Sequence, residues 1–165
     1  MKKYISCVLL TAMLSVTSAC SFGSSKSSSD AAISMPKLQE TMLSADTTLP
    51  EMTKISSDDE QADLNFTYLS DLDYALVDSY FYAYATEGTA EEIAVIKLKD
   101  KNDVTSMMQS MHDHIENRQG TFQEYDPEQA VMTEKAVVTR EGNYIALIIS
   151  SKNGLVQKAF ENSFQ

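Results

Sequence analysis

The chain has 165 residues, a formal net charge of -11 from 13 Lys and Arg against 24 Asp and Glu, and a hydrophobic fraction of 43%. That length suits one domain with a tail, and that apolar content supports a packed core rather than disorder throughout. The acidity argues against binding nucleic acid, whose phosphates it would repel, and two cysteines are too few for a disulfide scaffold or a cysteine zinc cluster.

Lys2 and Lys3 precede an apolar run from Ile5 to about Val16. The run is shorter than the roughly 20 residues a membrane-spanning helix needs. Small residues follow (Thr17, Ser18, Ala19), then Cys20, as in a secretory leader with a small-residue cleavage site. A cysteine directly after the small residues resembles the signal of bacterial lipoproteins, although Thr17 stands where that pattern usually has Leu. The resemblance implies that residues 1–19 are removed and that Cys20, the lipidation site, becomes the first mature residue. The chain is then anchored at the extracytoplasmic face of the cell membrane. Ordinary secretion with cleavage near Ala19 is the alternative. Cys7 leaves with the leader, so no free thiol remains. Residues 20–35 are Ser-rich and read as a flexible linker. The acidic domain beyond it is not expected to lie on anionic lipid.

Residues 36–165 read as a single domain with its core at about 64–165. Pro36 to Leu43 suits a short helix with Pro in its first turn. Residues 56–63 form an acidic surface loop. The alternation of Leu64, Phe66 and Tyr68 predicts a strand. Ala75 to Ala85 predicts another, with Tyr80, Tyr82 and Tyr84 on one side and Phe81 and Ala83 on the other. A turn at Gly88 leads into a strand over Glu92 to Lys99. Val104, Met107, Met108, Met111 and Ile115 have the spacing of a buried helical stripe, with Arg118 and Gly120 marking the helix end. Pro127 opens a short helix to about Met132. Lys135 to Arg140 and Tyr144 to Ser150 form a hairpin around Glu141-Gly142-Asn143. A final helix places Leu155, Val156, Ala159 and Phe160 on one face. The expected fold class is α+β, a two-layer sandwich with a mostly antiparallel sheet and helices packed on one face.

The segments Glu92-Ile93-Ala94, Arg118 and Tyr125-Asp126-Pro127-Glu128-Gln129, set in this order of elements, resemble an uncharacterised domain family of small lipoproteins from Gram-positive, clostridial-type bacteria. The resemblance covers roughly Leu64 to Phe164. It implies the anchored location and brings no activity.

Few residues form a catalytic or metal-binding pattern. His112 and His114 point about 200° apart on a helix and cannot share a metal. His114 is expected in solvent and His112 at the boundary, near Glu116. Asp58, Asp59, Glu60 and Asp63, with Asp71 and Asp73, lack the central Gly and terminal Glu of a calcium loop and read as solvated. Glu91 and Glu92 are adjacent on a strand, face opposite sides and do not converge as a glycosidase pair. No G-x-S-x-G elbow or phosphate-cradling glycine loop occurs. No cofactor or metal is expected.

The candidate binding residues are aromatic. If one sheet face is open, Tyr80, Tyr82 and Tyr84 form an exposed strip bordered by Lys97 and Lys99. Otherwise they are half-buried sheet residues. Tyr125 is a further candidate for recognition, although its motif also reads as a helix start. The expectation is a lipid-anchored, non-enzymatic binding or protein-interaction module. Its partners would be the membrane, through Cys20, and an envelope protein or small ligand. A small transporter-associated solute-binding lipoprotein is the alternative, and a cell-envelope hydrolase a more distant one.

Overall fold

The computed structural model describes residues 33–165, so the leader, Cys20 and most of the Ser-rich linker lie outside the described residues. Five strands form one antiparallel sheet in the order β1-β2-β3-β5-β4: β1 (Met52–Ser56), β2 (Val77–Ala85), β3 (Glu92–Leu98), β4 (Val137–Glu141) and β5 (Tyr144–Ile149). Glycines at positive φ, Gly88 and Gly142, make the β2–β3 and β4–β5 turns, as the sequence predicts. Between β3 and β4 run α3 (Val104–Tyr125) and α4 (Pro127–Glu134), which carry the chain to the far edge of the sheet before β5 returns between β3 and β4. The fold is α+β with an antiparallel sheet.

Helices cover both faces of the sheet rather than one. On the first face α2 (Ala62–Phe66), α3 and α4 pack over Tyr80, Tyr82, Ala94, Ile96, Leu147 and Ile149. On the second, α1 (Met35–Ser44) and α5 (Asn153–Asn162) bring Leu38, Met42, Val156 and Phe160 against Phe81, Ile93, Val95, Ala146 and Ile148. The reason lies in β3 and β5, which alternate apolar with apolar; every residue of β5 is buried. Strands of that composition need cover on both sides.

Two elements differ from the expectation for the same kind of reason. Residues 62–66 form α2, not a strand: Ala62, Phe66 and Leu69 are spaced four and three apart and are buried, whereas Leu64 and Tyr68 are 53% and 64% exposed. The helical period wins because the core lies on one side only. Helix α3 runs through Gly120 to Tyr125, because Phe122, 1% exposed, continues the buried stripe of Met107 and Met111. A mid-helix Gly weakens this by only about 1 kcal/mol. The helix stops at Asp126, whose φ of -145° and ψ of 85° lie outside the α region that a following proline disfavours. The Asp126 side chain then accepts a hydrogen bond from Gln129 N and caps α4.

A buried polar link ties the loop after α1 to the end of β5. Asp46 is 3% exposed; it accepts from Ser150 Oγ at 2.5 Å and from Thr48 N and Oγ1 at 2.8 and 2.6 Å. Burial acts to raise its pKa, but these hydrogen bonds, with Lys152 nearby, outweigh it and hold the carboxyl below its ordinary value. The stability this supplies is full above the unfolded-state value of about 3.9 and is lost as pH falls through the lower folded value. Asp46→Asn is expected to cost about 2 kcal/mol at neutral pH and to flatten the acid limb of the stability curve, as read by urea melts across pH.

Candidate functional site

Glu92 begins β3 on the same face as Ala94 and Ile96, opposite Tyr84 of β2 and Ile149 of β5. Its side chain is 1% exposed. A carboxylate so placed needs hydrogen-bonding or charged partners. Helix α3 supplies two, one turn apart: His114 Nε2 donates to Glu92 Oε2 at 2.6 Å, and the Arg118 cation places Nε 2.6 Å from Oε1. The Arg118 Nε–H is not aimed along that contact, which is therefore an ion pair without an aligned hydrogen bond. The guanidinium also donates from Nη2 to Thr89 O at 3.3 Å and stacks over Phe122, 4.8 Å from the ring centre. The Tyr82 ring meets His114 edge-on at 6.5 Å. Burial, then the negative charge of Glu92, raises the Tyr82 phenol far above its ordinary pKa, so it stays neutral.

His114 and Arg118 present their outer sides to a cleft of about 750 Å³ between α3 and residues 67–72, and Glu92 lies behind them. The loop is fastened to the helix: Ser70 and Ser110 share a hydrogen bond at 2.8 Å, and Ser70 Oγ accepts from Leu72 N. The volume falls within the roughly 300–1,000 Å³ of small-ligand clefts. A second groove, of about 670 Å³, lies between α4 and the start of α5, where Val131 and Leu155 are exposed. It holds no comparable set of interlocked ionisable side chains.

The structure distributes the predicted site residues widely. Tyr80 and Tyr82 are 0% and 5% exposed under α2 and α3, and Tyr84 is half-buried, so the row is a core feature and no open strip exists. Lys97 does not border it: the side chain lies over Tyr144 on the other face, paired with Asp78 at 2.7 Å. Lys99 donates to Ala75 O. Tyr125 is 64% exposed and outside the cleft, its ring 5.4 Å from that of Phe122. Gln129, from the same motif, accepts from Ala90 N and ties α4 to the β2–β3 turn. His114 is not the solvated histidine; His112 is the exposed one. Among the described residues, no three His, Cys, Asp or Glu side chains converge as a metal site. Cys20 lies outside the described residues.

The Glu92 cluster was missed although its signals are present. His114 and Arg118 fall three and seven residues beyond Met111, within the buried stripe, and Glu92 shares the strand parity of Ala94 and Ile96.

No curated protein and no solved structure matches the chain. The family model for a domain of unknown function, DUF4358, matches residues 50–150, a span that runs from β1 to the end of β5 and includes Glu92, His114 and Arg118. The chain belongs to the DUF4358 family.

Proposed function

We propose that this protein is a lipid-anchored extracytoplasmic lipoprotein whose folded domain is a non-enzymatic binding module, with the cleft between α3 and residues 67–72 as its ligand site. The observation that carries the reading is the cleft wall: His114 and Arg118 are held in place from behind by a buried carboxylate. Side chains locked in this way bind with less ordering cost. The anchor rests on the leader and on Cys20 after Ala19. The small-ligand volume of the cleft favours, as a second reading, a solute-binding role beside a transporter.

Growth of the producing cells with a clickable palmitate analogue tests the anchor. The wild-type protein is expected in the membrane fraction carrying label, and Cys20→Ala without it. Unlabelled wild-type protein released into the medium would overturn the anchor.

A further inference from the structure

We infer that the cleft takes a neutral saccharide, a deepening that rests on the reading of this cleft as the ligand site. Hydroxyl and amide side chains dominate its walls: Thr105, Ser106, Gln109, Asn117 and Thr121 come from α3 alone. Such groups both donate and accept, which matches a ligand whose polar groups are themselves hydroxyls. The positive charge in the wall is compensated, because Arg118 lies against the Glu92 carboxylate. Asp71 and Asp113 add negative charge to the lining, on a chain of net charge -11. An anionic ligand is therefore repelled, whereas a sugar hydroxyl can donate to Asp113, which so far accepts from Gln109 Nε2 at 2.8 Å. Tyr68 supplies the remaining element. It belongs to the cleft lining and is 64% exposed, a flat apolar ring with a polar tip suited to the C–H face of a pyranose. A peptide would instead look for an apolar groove or a free strand edge.

The source of the sugar is either a wall glycan strand or a free oligosaccharide. The test separates them. Protein purified in mild detergent from its own cells is titrated with a β-linked N-acetylglucosamine tetramer, with maltotetraose, and with inorganic phosphate and citrate. Backbone amide shifts and calorimetry are the readouts. One or both tetrasaccharides are expected to move the amides of residues 67–72 and of α3 saturably, with an affinity insensitive to salt. The N-acetylglucosamine tetramer alone points to a wall strand and maltotetraose alone to a free sugar. Tyr68→Ala is expected to weaken binding about tenfold without lowering the melting temperature. Tyr125→Ala, equally exposed but outside the cleft, is expected to leave binding unchanged. Cleft amides that respond to phosphate or citrate but to neither sugar would overturn the saccharide and leave the cleft as a ligand site. Sugar-induced shifts confined to other surfaces would overturn the cleft itself. Silence with all four probes would overturn the saccharide inference.

Discussion

Arg118→Ala is expected to cost about 3–5 kcal/mol of folding stability, although the side chain is 28% exposed. The loss comes from Glu92, 1% exposed in the folded protein, whose carboxylate would lose the permanent cation beside it. For a domain whose total stability is about 5–15 kcal/mol, such a change is read easily from urea melts. Two further variants identify the cause. Arg118→Lys keeps the charge but loses the planar fork that reaches both Glu92 and Thr89, and should recover part of the stability. Adding Glu92→Gln to Arg118→Ala removes the stranded charge, and the double variant should be more stable than Arg118→Ala alone. A loss below about 1 kcal/mol for Arg118→Ala would mean that the pair behaves as a surface ion pair.

Tyr80→Ala is expected to be comparably damaging, at about 3–5 kcal/mol. Its ring is fully buried, with centroids 5.3 Å from Phe66 and 5.9 Å from Tyr74, and its hydroxyl donates to Ala62 O at 2.7 Å. Tyr80→Phe isolates the hydrogen bond and should cost about 1–2 kcal/mol. The consequence reaches the cleft, because α2, which Tyr80 supports, leads directly into residues 67–72. If Tyr80 were part of an exposed recognition strip, Tyr80→Ala would leave the melting temperature intact; the buried position predicts the opposite.

Much of the fold was legible because β2, β3, β5 and α3 carry strong periodic signals. The alternation of Tyr80, Tyr82 and Tyr84 with Phe81 and Ala83 is correct as to faces. Strand β1 was not predicted, since Met52–Ser56 has a single buried residue, Ile55. The second helical layer was encoded in the continuous apolar runs of Ile93–Ile96 and Ile145–Ile149, which no one-sided sheet would bury. The site was harder to see. Glu92, His114 and Arg118 are separated by 22 and 4 positions, and only the packing of α3 over the start of β3 brings them within hydrogen-bond distance. A sequence shows that a charged residue lies on a core face; it does not show which partner meets it there. The cleft depends on the same packing, joined to a loop whose serine finds Ser110 forty residues later.

The central claim is that ligand enters the cleft between α3 and residues 67–72. Amide hydrogen exchange on the protein purified from its own cells, with and without a soluble digest of the same cells' envelope, tests it without assuming the ligand. The account predicts slowed exchange at residues 67–72 and 105–121 and unchanged exchange elsewhere. Protection at the Val131–Leu155 groove in place of the cleft, or none at all, would contradict it.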